Sequence, residues 1–200
     1  NNDPIPETGE KIYISAGRKN LQCRHILENI SAACLAAMTA GATVEGIQQA
    51  VNTYEGLTHR MEYIGAIGAT PYYNDSKATN VDAVLRALEC LAGPIILIMG
   101  GRNKGGDFNL LTDSIRQKVS TLILLGEATE EIAGVLADLT KTKKVKSMTQ
   151  AVAEAHASVI AEEKVLFSPA CSSFDMYQNY KERGDDFREA VKRLSERVIK

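Results

Sequence analysis

The chain has 200 residues, 44% of them apolar and 24% charged, with a formal net charge of −2. Such a length suits one domain, or one domain with a piece of another, and the composition is ordinarily globular. The charge balance carries no footprint for nucleic acid or an anionic membrane, and no apolar run approaches bilayer length.

The four cysteines, Cys23, Cys34, Cys90 and Cys171, form neither a CxxC pair nor a zinc-finger spacing. Cys34 and Cys90 lie in apolar helical patterns, where a buried free thiol is expected. With no signal peptide at the start, the expected setting is reducing and cytoplasmic. A first residue of Asn rather than Met marks an expected fragment.

Taken in chain order, Ile12-Tyr13-Ile14 reads as one short strand in a weakly patterned start. Alanine-rich residues 28–40 predict a helix stopped by Gly41, and Thr43 caps a second helix that ends near Gly56. Two helices bury too little to form a domain, so residues 1–57 read as the tail of a preceding one. Between Tyr63 and Tyr73, small and β-prone residues predict one or two strands. Val81, Val84, Leu85, Leu88 and Leu91 share one face of a helix over 79–92. Ile95 to Met99 is a continuous apolar run, as in a strand covered on both faces.

Further on come a helix near 109–118, a strand at Thr121–Leu125, a helix at 127–138 and a short strand marked by Val145. Lys141-Thr142-Lys143-Lys144 reads as a solvated turn. A helix at 148–160, a strand at Lys164–Phe167 and an amphipathic helix at 183–197 complete the chain. Alternation of this kind predicts an α/β class with a doubly wound sheet over 58–200.

In such sheets, ligands sit at the carboxyl ends of strands. Three loops there are rich in usable polar groups. Asn74 to Asn80 opens a helix, so Lys77 and the backbone N–H groups suit an anion; the plainer reading is a capping turn with Thr79 or Ser76 as the cap. Gly100 to Phe108 combines four glycines with Arg102 and Lys104, which suits close approach of a carboxylate or phosphate, or else a flexible connection. Ser168 to Tyr180 is long for an α/β connection. Cys171 in it lacks a partnering His, and Ser173 lacks a GxSxG elbow, so hydroxyl groups that orient a ligand are expected instead. Arg60 stands at the junction before the α/β portion, either solvated or reaching a phosphate in a cleft. His156 reads as structural or exposed.

The stretches Gly56-Leu57-Thr58-His59-Arg60-Met61-Glu62, Asn74-Asp75-Ser76-Lys77-Ala78-Thr79-Asn80, Gly100-Gly101-Arg102-Asn103-Lys104-Gly105 and Ser168-Pro169-Ala170-Cys171-Ser172-Ser173-Phe174-Asp175 resemble the Mur ligase family, most closely its D-glutamate-adding branch. Tyr180-Lys181-Glu182-Arg183-Gly184-Asp185 extends the last of them. The resemblance runs from about residue 20 to the end. It implies a Rossmann-like C-terminal domain over 58–200 that brings in the amino acid, behind the tail of the central ATP-binding domain.

It also implies a reaction. ATP with Mg²⁺ activates the carboxylate of UDP-N-acetylmuramoyl-L-alanine, and the amine of D-glutamate attacks the acyl phosphate in peptidoglycan synthesis. By the same resemblance, Lys77, Thr79, Lys104, Ser173 and Tyr180 bind D-glutamate. Asn29, Arg60 and Asp75 contact ATP, with Asn29 in an adenine element whose first Asn is Ile26 here.

No GxxxxGK[ST] loop occurs in these 200 residues, and the family's metal-binding groups belong to N-terminal and central domains expected outside them. The chain by itself is therefore expected not to catalyse. Two other classes compete with a ligase piece: a free-standing Rossmann-like module that binds an acidic ligand without catalysis, and a pure scaffold. A scaffold has no need of converging cations and hydroxyls, and a free-standing module has no need of residues 20–57.

Overall fold

The computed structural model describes Ile14 and residues 24–198, and the chain divides into two compact units at Glu55–Gly56. In the first unit, α1 (Arg24–Thr39) and α2 (Val44–Thr53) are the two helices. Gly41, at φ +90°, turns the chain after α1. The Thr43 hydroxyl then accepts the Gly46 N–H at 3.2 Å, as an N-cap does. Ile14 is outside any strand, whereas Ile12, Tyr13 and Cys23 lie outside the described residues. Cys34 and Cys171 are free thiols, but Cys90 is disulfide-bonded, against the expectation of a free buried thiol.

The second unit opens with an antiparallel hairpin, β1 (Glu62–Ile67) and β2 (Thr70–Asn74). Four further strands follow, each preceded by a helix: α3 (Val81–Cys90) and β3 (Ile95–Gly100), α4 (Thr112–Lys118) and β4 (Val119–Leu125), α5 (Thr129–Leu136) and β5 (Lys141–Lys144), α6 (Met148–Ser158) and β6 (Lys164–Phe167). A 3₁₀ turn, Phe108–Leu111, leads into α4, and α7 (Tyr180–Val198) ends the described chain.

The sheet order is β1-β2-β6-β3-β4-β5, and every neighbouring pair after the hairpin is parallel. Given this order, the handedness of crossovers decides which face each helix covers. From β2 to β5 the chain steps one way across the sheet, so α3, α4 and α5 cover one face. The step from β5 back to β6 reverses direction, so α6 lands on the other, and α7 joins it.

The strands record this division residue by residue. Ile95, Leu97 and Met99 pack with Leu88, Leu111, Ile115 and Ile132, whereas Ile96 and Ile98 pack with Met148, Val152, Phe187 and Val191. All six residues of β3 are buried. Each apolar side chain so removed from water contributes roughly 1.5–3 kcal/mol.

Several expectations are corrected. Lys141–Lys144 is not a turn but the edge strand β5, paired to β4. Its lysines reach out to Glu154 and Glu130, both at 2.6 Å, and charged side chains on an edge discourage pairing with another chain. The cap of α3 is neither Thr79 nor Ser76 but Asn80, whose side chain accepts the Ala83 N–H at 2.9 Å. Helix α7 begins three residues before the amphipathic pattern does, because Asn179 caps the Lys181 and Glu182 N–H groups.

Phe187 ties α7 to the sheet, its ring centroid 5.0 Å from that of Phe167. Phe187→Ala should cost about 3–5 kcal/mol in urea unfolding, as emptied aromatic core sites do. Lys144→Ala, on the solvated edge, should change stability by less than about 0.5 kcal/mol. Equal losses in the two variants would contradict this placement of the core.

Candidate functional site

Strands β3 and β6 lie side by side, yet they leave the sheet toward opposite faces, one to α4 and the other to α7. That divergence opens a crevice at their carboxyl ends, where open α/β sheets take ligands. Backbone pairing holds the two loops together: Arg102 N–H donates to Ser172 O at 2.9 Å, and Ser172 N–H to Arg102 O at 3.0 Å. A Cβ on Gly101, already at φ +129°, would run into the Ser172 carbonyl, so only glycine permits this approach.

A fourth strand-end loop, 126–128, joins them. Ala128 N–H donates to Gly101 O at 2.8 Å, and Glu127 N–H donates to the Asp175 carboxylate at 2.9 Å.

The loop after β2 is built on buried polar groups. Asn74 donates to Gly184 O at 3.0 Å and meets His59 Nδ1 at 3.1 Å, while its Oδ1 accepts the Ser76 N–H at 3.1 Å. Ser76 Oγ donates to Tyr180 O at 2.8 Å. Arg183, only 3% exposed, donates from Nε to Ser76 Oγ, from Nη2 to Ser76 O and from Nη1 to Cys171 O, at 2.8–3.1 Å. Burial lowers its pKa to about 10, which leaves it charged at neutral pH.

His59 is buried against α7, with its ring edge-on to Tyr180. Burial lowers its pKa, opposed by the nearby Asp185 and Glu62. Glu62 accepts the His59 N–H at 2.9 Å and also takes Arg188 of α7 at 2.8 Å. His59 and Met61 both have positive φ, +63° and +45°, a conformation that costs side-chain-bearing residues energy. Arg60 is displayed between them, exposed.

The residues singled out from sequence fall as follows. Lys77 is exposed, its Nζ 5.5 Å from the centroid of the half-buried Tyr180 ring. Thr79, two residues on, is half-buried. Lys104 is exposed on the Gly-rich loop, its Nζ 5.2 Å from the Phe174 ring. Asn103 braces that loop tip by accepting the Gly106 N–H at 2.8 Å.

Ser173 is buried, and its carbonyl accepts the Tyr177 N–H at 2.8 Å. Lys77 and Tyr180 are thus in contact, and Ser173 sits on the same loop as Phe174, the ring under Lys104. Asn29 stands exposed on α1, in the first unit, apart in the chain from Arg60 and Asp75 of the second. Cys171 is no nucleophile: burial pushes its thiol up to about 12. His156 is half-buried, its Nδ1 3.3 Å from the Tyr72 hydroxyl.

Sequence reasoning missed Asn74, Glu62, Arg188 and the 126–128 loop as parts of the site's framework, and took Arg183 only as part of a helix. The one available signal for Arg183 was its place in Tyr180 to Asp185, a motif that carries the family resemblance. Among the described residues, no group of three or more His, Cys, Asp or Glu is placed to hold a metal ion, and no helix is long and apolar enough to cross a membrane. No Mg²⁺ cage is therefore assigned to them.

Asp75 supplies a test of this geometry. It is 7% exposed, and it accepts the Met61 N–H at 3.2 Å and the Ser168 hydroxyl at 2.9 Å. Burial raises its pKa to about 7, against the opposing pull of those two hydrogen bonds and of Arg60. A carboxyl with a raised folded-state pKa holds its proton more tightly when folded. Its contribution to stability is greatest below about pH 4 and drains away as pH rises to about 7. Between pH 5 and 8 the chain should lose roughly 2–3 kcal/mol through this group. Asp75→Asn should remove that slope in unfolding curves taken across the same range; an identical slope in the variant would show that Asp75 is ionised throughout.

The family described as Mur ligase, glutamate ligase domain, matches residues 59–171, from just before β1 to the start of the loop after β6. The chain is 46% identical over 183 residues to the UDP-N-acetylmuramoylalanine–D-glutamate ligase of Desulfosudis oleivorans, covering 92% of this chain and 40% of that protein. It is 44% identical over 187 residues to the ligase of the same name from Geotalea daltonii, covering 94% and 41%. It therefore spans about two fifths of the length of these relatives.

Among solved structures, the UDP-N-acetylmuramate-alanine ligase of Thermotoga maritima is similar at a TM-score of 0.63 and 14% identity, over 88% of this chain and 38% of that one. The MurF ligase of the same organism, in complex with ADP, is similar at 0.63 and 16%, over 87% and 39%. At such identities the likeness speaks for the fold, a Rossmann-like α/β sheet. With the family match running through the sheet, the loops after β2, β3 and β4 and the start of the loop after β6, the chain belongs to the Mur ligase family and carries its glutamate ligase domain.

Proposed function

We propose that this chain is the C-terminal part of an ATP-dependent ligase that adds D-glutamate to UDP-N-acetylmuramoyl-L-alanine in peptidoglycan synthesis, and that it supplies the pocket for the incoming amino acid. The observation that carries this reading is the crevice itself. The loops after β2, β3 and β6, the last two joined by backbone hydrogen bonds, present two exposed lysines, Lys77 and Lys104, each over an aromatic ring. Two mobile cations with hydroxyls beside them suit a substrate with two carboxylates.

In this reading Lys77, Thr79, Lys104, Ser173 and Tyr180 hold and orient D-glutamate so that its amine is left free. The neutral amine nitrogen attacks the acyl carbon of the activated partner, the carbon–oxygen bond to phosphate breaks, phosphate leaves with the electron pair, and the proton lost from nitrogen goes to that phosphate. Arg60, Asp75 and Asn29 serve ATP in the same reading, with the exposed Arg60, flanked by two left-handed residues, reaching a phosphate. ATP and Mg²⁺ supply the activation of the carboxylate. The remaining residues that bind them belong to the central domain, of which residues 1–57 are the tail; residues 58–200, with Arg60 and Asp75, form the amino-acid domain. With nucleotide-linked substrates, the enzyme works in the cytoplasm. Its similarity to ligases named for D-glutamate supports the choice of amino acid.

The test uses the full-length protein with ATP, Mg²⁺ and UDP-N-acetylmuramoyl-L-alanine, and follows phosphate release. Release should depend on D-glutamate and not on L-glutamate. Lys77→Ala and Lys104→Ala should each raise KM for D-glutamate about tenfold or more, the loss of one hydrogen bond to a charged group. Phosphate release indifferent to D-glutamate would sink the reading.

A further inference from the structure

The crevice loops are not held in place by the sheet alone. β2 ends at Asn74 and β6 at Phe167, whereas Lys77 and Ser173 lie three and six residues past those ends. Something beyond the strand pairing must set one loop against the other.

We infer that Arg183 is a positioning residue for the amino-acid pocket: its buried guanidinium clamps the loop after β2 to the loop after β6, with the loop after β3 closed against it. The inference rests on the reading of these loops as the amino-acid site. Its geometry stands on three hydrogen bonds. Nε and Nη2 grip Ser76 at its hydroxyl and its carbonyl, at 3.1 and 2.8 Å, and Ser76 precedes Lys77. Nη1 grips the Cys171 carbonyl at 3.0 Å, two residues before Ser173. Through Ser76 Oγ, which donates to Tyr180 O at 2.8 Å, the same group also fixes the first residue of α7. A Cβ on Gly101 would stand 3.0 Å from Nη1, so the third loop packs directly on the clamp.

A purely structural role explains less of this. Among the described residues Arg183 makes no ion pair; its partners are neutral oxygens and the face of Phe167, 5.8 Å away. Asp175 stabilises its charge through space but makes no ion pair with it; burying a cation without a contacting counter-ion is costly, and a neutral side chain would fill the same space more cheaply. What a neutral side chain lacks is a rigid, planar fork that donates in three directions at once. Lysine keeps the charge but loses the fork.

The experiment compares Arg183→Lys with wild type in the full-length ligase. Amide hydrogen exchange should quicken in both 76–80 and 170–178, with α6 as an unchanged reference. KM for D-glutamate should rise about tenfold or more while KM for ATP stays within about twofold. Should this variant fail to fold, Ser76→Ala removes the gripped hydroxyl alone and carries the same two readouts.

Unchanged exchange in both loops overturns the clamp, and so does a parallel rise in the two KM values. A wild-type protein with no D-glutamate-dependent turnover overturns the proposed function instead. The exchange measurement then decides the clamp by itself.

Discussion

Everything at the candidate site depends on one topological constraint: crossovers between parallel strands keep a single hand. A chain that steps across the sheet in one direction must lay its helices on one face, and a chain that turns back must use the other. Here the turn comes after β5, and the returning strand β6 slots beside β3. Two adjacent strand ends then point their loops to opposite faces, and the gap between them needs no further device to exist. What it needs is definition, and the glycines and backbone bridge at Arg102 and Ser172 provide it. The continuous apolar run of β3 belongs to the same constraint, because only a strand covered on both faces can sit at the reversal.

Definition of the crevice has an electrostatic cost. Asp75, His59 and Arg183 are all nearly inaccessible to water, and for each of them burial is the largest influence on its pKa. A core built for stability alone would not carry three such groups. None of them is left without a partner. Asp75 accepts two hydrogen bonds, Arg183 donates three, and His59 meets Asn74 and the acidic pair on either side. The left-handed backbone at His59, Met61 and Ala170 has the same character: local strain, held by surrounding packing, at the segments that shape the loops. These costs are concentrated at one end of the sheet, where the candidate site lies.

The division into α/β elements was legible in the sequence because periodicity is local. β3 and β6 stand where apolar runs put them, and α3 stands where Val81, Val84 and Leu88 share a face. The misreadings share a cause as well. β5 has no apolar alternation to show, since it is an edge strand made of lysine and threonine. The 126–128 loop is three residues long and matters through distant partners, Gly101 and Asp175, the latter 48 positions away from Glu127. Arg183 is paired to Ser76 across 107 residues, and no spacing rule reaches that far. Family resemblance drew attention to the exposed groups, Lys77 and Lys104. The buried groups that hold their loops had to come from the folded chain.

In the proposed reading, exposed lysines and buried framework also divide the work of recognition. A lysine held loosely over an aromatic face, as Lys77 is over Tyr180 and Lys104 over Phe174, keeps its hydration and its reach. Such a cation can follow a carboxylate into place at little cost in reorganisation, but it cannot by itself fix where the carboxylate ends up. Orientation must come from groups that do not move: the Ser173 segment, the Tyr180 ring at the head of α7, and the backbone between Ser76 and Asn80. These are the segments gathered around Arg183. In the proposed reaction, an amine that must meet an acyl carbon at bonding distance requires that rigidity more than it requires affinity, because misplacement of about 1 Å costs a reaction on the order of a hundredfold. The placement of the buried Arg183 guanidinium beneath the loops, and of the lysines above them, fits that requirement.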